Sequence, residues 1–267
     1  LYEEQGTIDG KNSSSWIEDT LKALSEYDNV TMMTRTTVYG YFDDNTLGAV
    51  ERVADHKEQP RINEPRQRHL KIFAKHVIIA TGSLERPIVF AGNDTPGVML
   101  ANAALRYANR YGVCVGDNVA KLTNNDDGYN TAHQLRNLGV NVTTVIDVRK
   151  KVDQTLITDN NIKYITGNVV TSARGGKALS VIKIAPYDMP TKTIGKEKKI
   201  KIDTLLISGG YTPTINLCSQ TGTPAVFDDE IQSFIPGPPT RKWEACGAVV
   251  GNFTLEEIFI DNKIKNG

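Results

Sequence analysis

Val77-Ile-Ile-Ala-Thr-Gly-Ser83 decides the fold, and Leu205-Leu-Ile-Ser-Gly-Gly-Tyr211 repeats its pattern far along the chain. Each is an apolar run closing on small residues. About five apolar residues without alternation make a strand buried on both faces of a parallel sheet. The Thr-Gly or Ser-Gly that follows lets the backbone turn sharply and lets another backbone or a ligand come close. Between the two lies the most regular unit of the chain: a strand from Asn118 to Thr123, a polar turn, a helix from Tyr129 to Leu138 stopped by Gly139, and a strand from Asn141 to Ile146 ending at Asp147. That pattern is a βαβ crossover. The expected fold class is α/β, with two nucleotide-binding-type (Rossmann-like) domains, the second inserted in the first. Residues 1–100 and 205–267 are expected to form one, and 101–204 the other.

Further out, Trp16, Ile17, Leu21 and Leu24 recur at helical spacing between Ser14 and Tyr27, which predicts an amphipathic helix on a sheet with a serine at its start. Val30 to Thr34 and Thr37 to Tyr41 are expected as strands, and Leu47 to Val53 and Arg68 to Ala74 alternate as a half-exposed antiparallel hairpin pair. A helix is predicted from Leu100 to Tyr111, ended by Gly112. Short strands alternate from Ile162 to Ile184, and the lysine-rich stretch from Lys192 to Lys201 is a solvated hairpin end. Near the end of the chain, Cys246-Gly-Ala-Val-Val-Gly251 runs into a helix-like segment from Thr254 to Phe259.

A chain of 267 residues exceeds the usual single-domain size and is expected to form two domains. Its 31 basic and 31 acidic residues cancel, so nothing favours a polyanionic partner such as nucleic acid. Cys114, Cys218 and Cys246 are odd in number and far apart, which argues against a disulfide framework and reads as small buried residues in a reducing compartment. No apolar run approaches the roughly 20 residues of a membrane span and no secretory pattern opens the sequence, so a cytoplasmic location is expected. The chain opens at Leu1 and closes on Lys265-Asn-Gly267, and both ends are expected to be cut from a longer polypeptide.

A dinucleotide fingerprint needs glycines where a strand turns into a helix, because the pyrophosphate reaches the helix N-terminus through bare backbone. The inserted unit carries Leu122-Thr-Asn-Asn-Asp-Asp-Gly128 there. Asp126 and Asp127 suit the positive end of the helix dipole and would repel a pyrophosphate seeking the same amides, so this unit reads as a nucleotide fold that has lost its nucleotide. Asp147 either binds a ribose or simply ends a strand. A dinucleotide then belongs to the first domain, whose contacts are expected around Val38, at Thr81 and Gly82, and at Gly247 and Ala248 with Phe253 following. Arg86 either anchors a cofactor phosphate or ties down its loop through Glu85 or Asp94. There is no Cys-x-x-Cys and no histidine pair at metal spacing; His56, His69, His76 and His133 read as surface or packing residues. No catalytic residue and no metal site is expected.

The run from Ala80 to Leu100 (ATGSLERPIVFAGNDTPGVML), with Asn109-Arg-Tyr-Gly-Val113, Thr123-Asn-Asn-Asp-Asp127, Arg35-Thr-Thr-Val-Tyr-Gly-Tyr41 and Ser208-Gly-Gly-Tyr-Thr-Pro213, closely resembles the alpha subunits of heterotetrameric sarcosine oxidases. The likeness covers almost the whole chain. It implies a complex that oxidatively demethylates sarcosine, passing the one-carbon unit to tetrahydrofolate or releasing formaldehyde, with oxygen reduced to peroxide. It implies an alpha subunit that binds NAD in a disulfide-reductase-like fold, with FAD in the beta subunit, FMN near the alpha–beta interface, and gamma and delta subunits completing the assembly. Carried over by motif, the dinucleotide contacts fall on Val38, Gly247, Ala248, Phe253 and Leu255; the Val249-Val250 pair departs from the smaller or polar residues expected there. FAD in place of NAD, as in a related amine or proline dehydrogenase or a cyanide-forming synthase, and a cofactor-free scaffold subunit are the alternatives.

Overall fold

A computed structural model of the chain describes residues Thr7–Phe259. The chain divides into two compact units, 1–84 with 212–267, and 85–211. The insertion thus begins earlier and ends later than the expected 101–204, because both strands flanking those limits pair into the inserted unit's own sheet.

The first unit opens with helix α1, Ser13–Ser25. Its cap is Asn12, whose side chain accepts from Ser14 N, rather than a serine. Among its residues only Ser13 is buried, and Leu21 and Leu24 stand exposed, so the expected packing of this helix on a sheet is not seen among the described residues. Val30 to Thr34 forms no strand: no described residues pair with it, and Met32 and Met33 face solvent. Strands β1 (Thr36–Phe42), β2 (Thr46–Arg52) and β3 (Gln67–Phe73) form an antiparallel meander in which β2 and β3 are the hairpin pair expected from alternation and β1 adds to its other edge, with Tyr41 opposite Leu47 and Leu47 opposite Ile72. One face buries Tyr41 and Ala49; the other shows Tyr39, Phe42 and Phe73. Strand β4 is Val77–Ile79.

In the inserted unit, β5 (Val98–Leu100) leads into α2 (Ala101–Tyr111), which Gly112 ends in the left-handed conformation at φ 61°. The crossover follows: β6 (Val119–Thr123), α3 (Asp127–Asn137) and β7 (Val142–Asp147), with β7 parallel to β6. β8 (Lys163–Thr166) comes next, then β9 (Asn168–Gly175), β10 (Leu179–Asp188) and β11 (Lys198–Lys201), which form an antiparallel layer. The lysine-rich stretch is therefore partly an edge strand, where lysines discourage further pairing. The chain then returns through β12, Thr204–Ser208. The parallel sheet runs β8-β7-β6-β12-β5. One face packs Ala120, Leu122, Ile146, Leu205 and Ile207 against Val170, Ile182 and Ile184 of the antiparallel layer. The other is covered by α2 and α3 through Ala104, Leu105, Tyr129, Ala132 and Leu135.

Back in the first unit come helix α4 (Asn216–Gln220), strand β13 (Trp243–Ala245) and a 3-10 turn, Gly247–Val250. β13 lies parallel to β4, with Trp243 opposite Val77. Tyr41, Ile79, Cys218, Trp243, Ala245 and Val249 make this unit's core, which gives Val249 a packing role. Cys218 is buried as expected; Cys114 is exposed, on the irregular segment that follows α2.

Candidate functional site

In the first unit the carboxyl ends of β4 and β13 lie side by side, tied by Cys246 N donating to Ile79 O at 3.1 Å. Each strand then turns through a glycine at positive φ: Gly82 at 72° and Gly247 at 77°. The left-handed conformation is the reason for glycine at both, since L side chains strain there. A Cβ added to Gly82 would meet nothing within 4 Å, and one on Gly247 only Ile258 Cγ1 at 4.0 Å. Two stretches of bare backbone therefore open onto free space at the strand ends, where open α/β sheets take their ligands. The Gly82 turn is braced from α4's side: Thr81 Oγ1 donates to Thr214 O at 2.8 Å and Thr214 N to Gly82 O at 2.9 Å.

The structure thus brings Thr81, Gly82, Gly247 and Ala248 to one end of one parallel pair. Val38 is placed on β1, which joins the same core through Tyr41, three residues further along. Phe253 and Leu255 follow at the start of a helical turn, where Glu257 accepts from Phe253 N and Thr254 N while Thr254 Oγ1 accepts from Glu257 N. This capping box uses the amides of the turn internally and holds the Glu257 carboxyl below its ordinary pKa. Arg86 belongs to the inserted unit, where its Nη2 donates to Tyr211 O at 2.9 Å.

The carboxyl ends of β6 and β12 in the inserted unit are built differently. Against the fingerprint G-x-G-x-x-G, Thr123 and Asn125 stand at the first two glycine positions and Gly128 keeps the third. A Cβ on Gly128 would collide with the Thr123 side chain, so the glycine that lets helix and strand pack closely is retained. Asn125 Oδ1 accepts from Gly128 N at 3.1 Å and its Nδ2 donates to Ser208 O at 3.3 Å. One asparagine side chain thus occupies the helix amide that a phosphate would use and bridges to the neighbouring strand. Asp147 is fully buried; its carboxylate accepts from Arg149 N at 2.7 Å, Arg149 Nη2 at 2.9 Å and Tyr129 Oη at 3.0 Å. Burial and the Asp147 charge raise the Tyr129 pKa. Arg149 also reaches Asp126 Oδ1 at 2.7 Å. The acid at the ribose-binding position is consumed within the fold.

Lys121, in the middle of β6, is a residue that sequence reading passed over. It is 0% exposed, on the helix-facing side of the sheet, and its Nζ has no hydrogen-bond partner among the described residues. Burial depresses its pKa to about 8, against the pull of the Asp127 and Glu85 charges. Glu85 Oε2 accepts from Asn102 N at 2.8 Å and so caps α2, which has no cap from its own Leu100. Burial raises the Glu85 pKa; the Asn102 amide and the nearby Ser208 hydroxyl draw it back, although Glu85 Oε1 and Ser208 Oγ make no well-formed hydrogen bond among the described residues. Tyr211 Oη donates to Asp127 Oδ2 at 2.5 Å and accepts from Asn102 Nδ2 at 3.0 Å. Burial and the Asp127 charge raise the Tyr211 pKa. A single lysine within an otherwise apolar strand was the signal available in the sequence; its partners are too scattered along the chain to have been found there.

Among the described residues no group of His, Cys, Asp or Glu is arranged to hold a metal ion, and no helix is long and apolar enough to cross a membrane. No protein-family model matches the chain. Thioredoxin reductase from T. acidophilum superposes with a TM-score of 0.65 at 18% identity, over 99% of this chain and 82% of its own. L-proline dehydrogenase from P. horikoshii does so with 0.64 at 21%, over 93% and 42%. The fold is therefore the one that these two oxidoreductase structures share. In sequence, the chain is 36% identical to sarcosine oxidase subunit alpha of Rhizobium meliloti (strain 1021) over 96% of its length, and 35% identical to that of Corynebacterium sp. (strain P-1) over 92%. It spans about a quarter of the length of these curated relatives, 25% and 26% respectively. Over that stretch the chain is similar in sequence to sarcosine oxidase alpha subunits.

Proposed function

We propose that this chain is the dinucleotide-binding part of an alpha-type subunit in a complex that oxidatively demethylates sarcosine, and that its dinucleotide lies on the first unit against Gly82 and Gly247. The observation that carries the reading is the pair of open glycine turns at adjacent strand ends, in a chain related throughout to sarcosine oxidase alpha subunits. A dinucleotide supplies hydride transfer, or a binding anchor, when bound. The residues' own part is to present bare backbone to it: Thr81 and Thr214 hold the Gly82 turn, and the β4–β13 pairing sets the Gly247 turn beside it. Val38, Ala248, Phe253 and Leu255 are assigned to its flanks. Arg86, bonded to the Tyr211 carbonyl, serves its own loop in this reading. The inserted unit holds no dinucleotide, because Asn125, Asp127 and Arg149 occupy or oppose the positions that one would need.

NAD is the assigned dinucleotide. FAD is the second reading, favoured by the fold's likeness to L-proline dehydrogenase and to a FAD-dependent pyridine nucleotide-disulphide oxidoreductase. Further FAD and FMN, tetrahydrofolate as one-carbon acceptor, partner subunits of beta, gamma and delta type, and a cytoplasmic setting belong to the same proposal. The test is to purify the complex containing this subunit, release its small molecules by denaturation and identify them by chromatography with mass detection. NAD in proportion to the subunit, lost on Gly247→Val, is the expected result. FAD in that proportion favours the second reading; no nucleotide refutes both and leaves a scaffold.

A further inference from the structure

At the carboxyl end of the inserted sheet, three buried polar atoms, Lys121 Nζ, Glu85 Oε1 and Ser208 Oγ, make no well-formed hydrogen bond among the described residues, although the Glu85 carboxyl and the Ser208 hydroxyl interact. Register puts them together. Lys121 pairs with Leu206 on β12, so Ser208, two residues beyond Leu206, points to the same helix-facing side. Glu85 reaches that side by capping α2, and it interacts with both Lys121 and Ser208. Lys121 and Ser208 are each 0% exposed. Native structures rarely leave such groups unsatisfied, and an ordered internal ligand with several hydrogen bonds is the usual answer.

The charges around the site select the ligand. A bound anion would face Glu85 and Asp127, and a bound cation would face Lys121; Tyr211 lies near, as does His133 on α3, whose pKa burial and the Lys121 charge lower while the Asp159 charge raises it. A neutral molecule able to accept from an ammonium while donating to a carboxylate meets no repulsion. We propose that Lys121 Nζ, Glu85 Oε1 and Ser208 Oγ together bind one internal water molecule at the junction of β6, β12 and the start of α2. The water accepts from Lys121 and donates to Glu85, and Ser208 completes its shell. It joins the buried lysine to the Glu85–Asn102–Tyr211–Asp127 chain of hydrogen bonds. The proposal is independent of which dinucleotide the first unit takes.

Two experiments on the 267-residue chain test it. A crystal structure at water-revealing resolution should show one peak within hydrogen-bonding distance of all three atoms. No peak there, direct contact of Lys121 Nζ with Glu85, or replacement of the peak by bromide on soaking would each overturn it. In solution, the lysine side-chain nitrogen signal that disappears in Lys121→Met is titrated in the otherwise native chain and in Ser208→Ala. Loss of the third anchor should shift the Lys121 protonation equilibrium toward the neutral amine by roughly threefold, half a pH unit. An unmoved midpoint in a folded Ser208→Ala protein means that Ser208 only packs, and the water site is refuted.

Discussion

Replacing Lys121 with methionine should change how stability depends on pH, and the size follows from where the lysine sits. Its pKa is about 8 in the folded chain and 10.5 ordinarily. Between those values the unfolded chain holds a proton that the folded chain has released, so stability rises with pH across that window. Burial of the charged form therefore weighs fully against folding below about pH 8, and the cost is removed as pH climbs toward 10.5. The whole span corresponds to roughly 3 kcal/mol, of which about 2 kcal/mol is gained between pH 7.5 and 9.5. That interval is the one to measure, because Tyr129 and Tyr211, with raised pKa values, keep their protons through it and affect stability only at higher pH. The assay is urea unfolding of the native chain and Lys121→Met at half-unit steps over that interval. The native chain should gain about 2 kcal/mol more than the variant. Parallel profiles, differing by less than about 0.5 kcal/mol in their rise, would refute the reasoning.

Asp147→Asn removes the charge that Arg149 and Tyr129 share at a fully buried position, and should destabilise the chain by about 1–3 kcal/mol in denaturant unfolding, since Arg149 keeps Asp126 as its remaining partner. Asn125→Ala removes the side chain that satisfies Gly128 N and should cost about 1 kcal/mol in the same assay, without any gain of dinucleotide binding by the inserted unit. Gly82→Val and Gly247→Val place a β-branched residue at positive φ, each costing about 1–3 kcal/mol, and nucleotide retention in the purified complex should fall in both.

The sequence by itself determined the elements whose physics is local. Of the two apolar runs closing on glycine, Thr204–Ser208 is the parallel strand buried on both faces that its composition implies, whereas Val77–Ile79 pairs in parallel but leaves Ile78 64% exposed; the Val119–Asp147 crossover followed from periodicity and Gly139, and the hairpin pair within the meander from alternation. Asp126 and Asp127 at a helix start already argued against a phosphate there. Tertiary structure decided what depends on partners distant in sequence. It assigned the strand Thr204–Ser208 to the inserted sheet, because that choice rests on pairing with Val119–Thr123, which no local pattern encodes. It left Val30 to Thr34 unpaired, since a strand needs a neighbour for its backbone groups as well as a suitable composition. It set Gly82 and Gly247, 165 residues apart, beside each other at the ends of β4 and β13. It also buried Lys121 among Glu85, Asp127 and Ser208: a lysine's charge can be read from sequence, but the desolvation and counter-charges that move its proton exist only once strands and helices close around it.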